Sequence, residues 1–497
     1  MSSNYLTKDQ YKLLGKECDK VLLSEQACDY VVAINFLHVT REDQTLLKRY
    51  QRIFHESIWF FDLLSRYNNF FKFSLFAIYN LTRSLFHRNV ELNLKKKSVD
   101  FLFISHYTGK SEFDSKDPYF GDVISQLNNK TSIVTAFINH TNRTDIDLKN
   151  RNDKITVLPL SNFSNFYHML CMYKNLFLNS FSIRQSSNSG ILSKIIKQTR
   201  VEALSYSTVR NLIIANQIKD IVDTYSPSCI VTTYEGHAWE RLAFSAARSA
   251  KFNIKCIAYQ HAPIFRLQHA IRRPIGEQYN PDIILTSGTV SKNQLELSNK
   301  LCKTKIITLG SGRNIELKMA YLSQKYKTFS CLVAPEGKME ECNIIFNFSL
   351  KCAIKNPTMI FIWRFPPMVN IKLLIKHNNI FLNLPNNIIV SRITLLKDIL
   401  RSRFILYRGS SVVIQSVVFG LKPIYLKIYD ELTIDPLYAI TQGRDIICNV
   451  EEFEKSISTN VDATIKKNLI TYCKYIYTPL DVNILENVLK NYNAPTN

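Results

Sequence analysis

Leu406-Tyr-Arg-Gly-Ser-Ser-Val-Val-Ile-Gln-Ser-Val-Val-Phe-Gly-Leu-Lys-Pro-Ile-Tyr425 reads as strand, tight turn, helix, stop and new strand. Gly409 allows the sharp turn, and Ser410 or Ser411 caps the helix. Gly420 ends that helix and Pro423 opens the next strand. A second stretch, Val231-Thr-Thr-Tyr-Glu-Gly-His-Ala-Trp-Glu-Arg241, repeats the grammar and adds a carboxylate, Glu235. A strand followed directly by a helix, twice, argues for parallel sheets with helical crossovers.

The same pattern extends in both directions. Apolar runs at residues 99–105, 132–138, 155–159, 229–233, 254–259, 282–286 and 305–309 predict one parallel sheet. Runs at 330–334, 358–363, 388–390, 404–406 and 423–426 predict a second. Residues 162–225 read as helical with a polar break at 185–190, and a polar linker from Gly310 to Thr328 separates the two series. The expectation is an α/β chain of two Rossmann-like domains facing each other. Residues 1–95 form a helical extension, 96–320 an acceptor domain and 321–497 a nucleotide-sugar donor domain.

The chain has 497 residues, enough for more than one core. Its formal net charge of +22 implies an acidic partner, although Lys, Asn and Ile are abundant throughout. The aromatic, basic stretch from Phe70 to Arg88 suits an anionic membrane surface, or simply packs on a domain. Eleven dispersed cysteines with no C-x-x-C pair point to reduced thiols and a cytoplasmic setting. No zinc spacing, G-x-x-x-x-G-K-[ST] loop or G-x-G-x-x-G fingerprint is present, and no D-x-D follows a strand. The expectation is therefore no metal, no cofactor beyond a co-substrate, and no nucleic-acid partner.

In open α/β sheets ligands bind beyond the carboxyl ends of the strands. Glu235 stands there as a candidate general base, a ligand hydrogen-bonder, or a helix cap paired with Arg241. His237 and His261 are candidates for base or donor binding. Arg266, Arg272 and Arg273 are candidates for an acidic acceptor. Beyond the second series stand Glu336 and Gly337, suited to a ribose or base, and Arg364 with Pro366, suited to phosphate or carboxylate. Arg408, Gly409, Ser410 and Ser411 form a candidate phosphate cradle at a helix start.

At these residues the chain resembles GT-B glycosyltransferases of bacterial surface-polysaccharide biosynthesis, above all those using CMP-activated acidic sugars (sialyl-, polysialyl- and Kdo-type transferases). That family carries an acidic-acidic-glycine motif, a His-Pro motif and a Ser-Ser motif. Glu235-Gly236 is similar to the end of the first, Pro366 to the proline of the second, and Ser410-Ser411 to the third. Tyr234 replaces the first acidic residue, and Phe365 stands in the histidine position. The resemblance implies a metal-independent glycosyltransferase with Glu235 as base and the serines on donor phosphate. The sugar would pass, from a CMP donor, to a surface polysaccharide or lipid-linked glycan at the inner membrane face. The same fold with a UDP-sugar or CDP-alcohol donor is the nearest alternative. A basic nucleic-acid binder or an inactive assembly protein is the alternative of another class.

Overall fold

The computed structural model describes residues 5–25, 27–54, 59–86, 98–107, 117–127, 129–140, 156–161, 164–183, 190–251, 253–314, 328–366, 369, 371–377, 379–381 and 383–493. The polar break at 185–189 and most of the linker (315–327) lie outside them, as do Pro367 and the end of the aromatic stretch, residues 87–88.

Among the described residues thirteen strands form two parallel sheets. The first contains β1 (Phe101–Tyr107), β2 (Ile133–Asn139), β3 (Thr156–Leu160), β4 (Cys229–Thr233), β5 (Lys255–Gln260), β6 (Ile283–Thr286) and β7 (Lys305–Thr308). Its order is β3-β2-β1-β4-β5-β6-β7. The second contains β8 (Ser330–Ala334), β9 (Ile360–Trp363), β10 (Ile388–Val390), β11 (Phe404–Tyr407), β12 (Lys422–Leu426) and β13 (Asp445–Ile447), in the order β10-β9-β8-β11-β12-β13. Both are doubly wound Rossmann orders with a switch point beside the first strand, between β1 and β4 and between β8 and β11. The central strands β4, β8 and β11 are buried along their whole length. Covered on both faces, such strands show as continuous apolar runs, which is why the sequence revealed them.

Two boundaries differ from expectation. The extension is not a separate body. Leu6, Tyr11, Leu14, Val32, Leu37 and Tyr50 share one hydrophobic cluster with Leu102, Ile104 and Ile230 of the first sheet. The closing helix Asn483–Asn493 belongs to the first domain, where Leu485 and Leu489 pack with Phe101, Val231 and Leu285. The segment leading to it is stitched to the first domain by backbone bonds, Thr478 N–H to Ser287 O at 3.1 Å and Asp481 N–H to Leu309 O at 2.9 Å. The split at about residue 320 therefore fails for the last helix, because its apolar face finds its partner on the first sheet.

Candidate active site between the two sheets

The first half of the site is built by the turn after β4. Glu240, in the first turn of helix Ala238–Ala250, points its carboxylate back at the chain. It accepts the backbone N–H groups of Glu235 (3.0 Å), Gly236 (2.7 Å) and His237 (2.8 Å). These bonds to one carboxyl group fix the loop and satisfy its amides at the helix start, while burial raises the Glu240 pKa to about 7. Gly236 has φ +86°, and an added Cβ would lie 2.4 Å from the Ala270 carbonyl carbon. Only glycine fits there. Capping is thus the task of Glu240, and the Glu235 side chain is left free of it.

Glu235 is a quarter exposed. Its Oε2 lies 3.4 Å from His237 Nε2 and its Oε1 4.0 Å from His261 Nε2. Burial would raise its pKa, but the His237 hydrogen bond and the nearby His237, His261 and Arg41 hold it well below the usual carboxylate range. Burial also acts against a charge on His237, yet the Glu235 hydrogen bond and the Glu240 and Glu235 carboxylates raise its pKa overall. Burial pushes His261 down to about 4. The constellation at neutral pH is an anionic Glu235 hydrogen-bonded to His237 on one oxygen, with a neutral imidazole beyond the other.

The sequence reading missed a second layer. His106, at the end of β1, has Nδ1 2.9 Å from His140 Nε2 and Nε2 3.0 Å from Thr233 Oγ1. Burial, with His140 and His261 nearby, keeps its pKa well below 6.5. Tyr119 stands edge-on to His261, with ring centroids 5.0 Å apart. His106 and His140 both end strands of the first sheet, the signal that singled out Glu235.

The second half lies at the other switch point. Glu336 follows β8 and Gly409 follows β11, and a Cβ on Gly409 would stand 2.4 Å from Glu336 Oε2. A side chain at Gly409 would have to displace the Glu336 carboxylate. Ser410 is buried and Ser411 occupies the N-cap position of helix Val412–Val418. Neither caps it through its side chain, contrary to the capping expectation, so both hydroxyls are left to other partners. Gly337 is exposed beside Glu336. Arg41 of the extension spans the halves: it pairs with Glu336, lies 5.3 Å over the Phe265 ring, and its charge reaches Glu235.

Several expected ligand groups are committed elsewhere. Arg408, 2% exposed, bonds Glu341 Oε2 at 2.6 Å, Glu431 Oε2 at 2.5 Å and the Leu426 carbonyl at 3.2 Å. It ties the end of β11 to helix Met339–Lys355, to the end of β12 and to the Glu431 loop, so its donors are spent inside the domain. Arg364 bonds Asp398 at 2.9 Å and the Ile393 carbonyl at 2.8 Å. Phe365 packs on Phe346 and Phe381, so the family's histidine position lies in an apolar cluster, with Pro366 half-buried after it. Arg273 is buried against Asp19 (2.6 Å) and His269 (2.6 Å), and Arg272 bonds the Gln268 carbonyl (3.1 Å). Of the three acceptor arginines Arg266 alone is exposed. Among the described residues no group of three or more His, Cys, Asp or Glu is arranged to hold a metal ion.

No protein-family model matches the chain, and no curated protein matches it. Solved structures do. The UDP-GlcNAc 2-epimerase from Neisseria meningitidis bound to UDP-GlcNAc is 15% identical, covering 79% of this chain and 100% of its own, with a TM-score of 0.44. The kitacinnamycin glycosyltransferase is 9% identical over 80% and 99%, at 0.49. The wall teichoic acid polymerase TagF is 9% identical over 88% and 98%, at 0.39. At these values the likeness assigns no residue a role, and the site rests on its own geometry.

Proposed function

We propose that this protein is a glycosyltransferase that moves a sugar from a nucleotide donor to an acceptor hydroxyl in the cleft between its sheets. One observation carries the reading. The Glu235–His237–His261 constellation and the Glu336–Gly409–Ser410 turn occupy the two switch points, and Arg41 spans them. In this reading the acceptor hydroxyl donates to Glu235, which takes its proton. A carboxylate held this acidic takes the proton late, once the acceptor oxygen has begun to bond the sugar carbon. His237 shares the charge on one oxygen of Glu235, and neutral His261 orients the other. Ser410, Ser411 and the free amides at Val412 would meet donor phosphate, and Glu336 a ribose hydroxyl. A CMP-linked nonulosonic acid or Kdo is the proposed donor, with UDP- and CDP-linked donors as competitors. The proposed acceptor is a surface polysaccharide or lipid-linked glycan.

The proposal includes peripheral contact with an anionic membrane. Helix Trp59–Phe86 exposes Phe71, Leu75, Ile78 and Leu85, and its neighbour Phe166–Ser182 exposes Tyr167, Leu170 and Leu178. Phe73 and Tyr173 join the two helices with ring centroids 5.5 Å apart. Lys72, Arg83 and Lys174 are exposed among these side chains, and residues 68–86 and 166–182 contain no Asp or Glu. Among the described residues no helix is long and apolar enough to cross a membrane.

The test is a thermal-shift screen against CMP, CDP, UDP and GDP, with turnover assayed on the donor of whichever nucleotide binds. A ligand specific for the folded state at a hundred times its Kd stabilises by about 2.7 kcal/mol. The expected result is a CMP shift that Ser410→Ala/Ser411→Ala abolishes. Glu235→Gln should bind nucleotide normally and turn over at least ~100-fold more slowly. A protein that none of the four nucleotides stabilises would overturn the reading.

A further inference from the structure

Residues 38–44 of the extension, His-Val-Thr-Arg-Glu-Asp-Gln, are dense in polar groups. Yet His38, Glu42, Asp43 and Gln44 are each at most 4% exposed. Burying such a run is unfavourable unless every member finds a partner, and the partners are specific. His38 Nε2 lies 2.7 Å from the Val32 carbonyl. Glu42 accepts the Leu267 N–H at 2.6 Å. Gln44 donates to the Leu6 carbonyl at 3.0 Å and accepts the Leu6 N–H at 3.3 Å. Asp43 accepts the Thr45 N–H at 2.8 Å and pairs with Lys338 of the second domain. These anchors fix the backbone on either side of Arg41 and hold its guanidinium against Glu336 of the second domain.

Arg41 meets Glu336 through Nη2 and Oε1, and lies 3.5 Å from Asp43. The other oxygen of Glu336, Oε2, is buried with no hydrogen-bond partner and faces Gly409. A buried carboxylate oxygen without a donor is costly, and this one retains the capacity to accept a hydrogen bond from a ligand at the Gly409 turn. An anion arriving at Gly409–Ser410 would meet Glu336 at close range and needs a cation there. Arg408 and Arg364 are tied to Glu341, Glu431 and Asp398. Arg41 is held against Glu336, whose other oxygen faces that turn, and its planar fork has donors beyond Nη2, which meets Glu336 and Asp43.

We infer that Arg41 is the anion receptor of the cleft, exchanging Glu336 for an oxyanion delivered beside Gly409 and Ser410. The oxyanion is a phosphate of the nucleotide or the carboxylate of an acidic sugar. Released from Arg41, Glu336 is free to accept ligand hydroxyls through both oxygens. The extension thereby contributes a binding group to a site whose other walls come from the two sheets. The identity of the anion rests on the proposed function, whereas the position of the receptor does not.

Isothermal titration tests this on the full chain, with wild type, Arg41→Ala, Arg41→Lys and Glu336→Gln. The probes are inorganic pyrophosphate, CMP, UDP, N-acetylneuraminate, and the phosphate-free cytidine and uridine. Arg41→Ala should weaken pyrophosphate and nucleotide binding at least tenfold and leave nucleoside binding unchanged, with Arg41→Lys in between. Glu336→Gln removes the competitor, so pyrophosphate should bind several-fold tighter while nucleosides bind more weakly. If N-acetylneuraminate alone depends on Arg41, the receptor stands and its anion is the sugar carboxylate. If Arg41→Ala unfolds, Arg41→Ala/Glu336→Gln compared with Glu336→Gln gives the same reading without a stranded carboxylate. Pyrophosphate binding that needs Arg41 in a protein blind to nucleotides sinks the proposed function and keeps this inference. Anion binding indifferent to Arg41, or no anion binding by the wild type, overturns the inference.

Discussion

His261 offers a quantitative check on the site. Its side chain is 11% exposed at the end of β5, with Nε2 4.0 Å from Glu235 and Nδ1 buried without a partner. Burial pushes its pKa from 6.5 to about 4, with Arg313 assisting and Glu235 opposing. A folded pKa below the unfolded one gives stability that is present above pH 6.5 and lost as pH falls towards 4. At pH 5 the unfolded imidazole is almost fully protonated and the folded one is not. Integrating the proton difference from pH 7 to pH 5 gives about 2 kcal/mol of lost stability from this residue. Urea denaturation at the two pH values, on wild type and His261→Asn, measures it. The variant should lose about 2 kcal/mol less than the wild type over that interval. His140, shifted down by burial and Arg210, titrates in both proteins and cancels in the comparison; His106, which His261 helps hold down, loses less in the variant and adds to the difference in the same direction. Equal losses in the two proteins, or an imidazole pKa near 6.5 by NMR, would refute the neutral His261 and its orienting role beside Glu235.

Other substitutions separate scaffold from chemistry. Gly236→Ala forces a side chain at φ +86° against the Ala270 backbone. It should cost about 2–5 kcal/mol by denaturation and reduce turnover more than nucleotide affinity, because it displaces Glu235 and His237 together. Arg408→Met leaves Glu341 and Glu431 without their shared cation and should destabilise by about 3–5 kcal/mol. A fully stable variant that merely binds donor poorly would restore Arg408 as a ligand. Phe71→Asp/Leu178→Asp should reduce co-sedimentation with phosphatidylglycerol vesicles several-fold and leave nucleotide binding intact. Undiminished sedimentation would remove the membrane reading.

The sheets were legible because each strand is a short apolar run bounded by polar or glycine-containing turns. The reading located β4, β8 and β10 to the residue. Strand β13 escaped because its three residues, Asp445–Ile447, open on a charged side chain, whereas the equally short β10 is wholly apolar. The end-of-strand rule singled out Glu235, His261, Glu336 and the Gly409 turn as candidates, and each does follow a strand of its sheet. It misled at Arg408, since an arginine in that position looks the same whether it meets a ligand or an internal carboxylate. Glu341 and Glu431 stand 67 and 23 residues away, and nothing local announces them. Arg41 was invisible for a different reason. Its loop carries no strand–turn–helix grammar and lies before the first sheet begins, so no positional rule pointed to it.

The surplus of positive charge looked like an indicator of the donor, but the cleft is nearly balanced within itself. Glu235 faces His237, Glu336 faces Arg41, Asp43 faces Lys338, and Glu341 with Glu431 faces Arg408. Paired, largely buried charges respond weakly to salt, whereas exposed cations are screened within about 10 Å at 0.1 M. The surplus includes exposed cations, and among the described residues Lys72, Arg83 and Lys174 stand among exposed apolar side chains. The two proposed anion contacts should therefore respond differently to salt. A membrane contact made by those cations weakens as ionic strength rises. An oxyanion held by Arg41 against Ser410 persists, because its affinity comes from an exchange of partners in a shielded site.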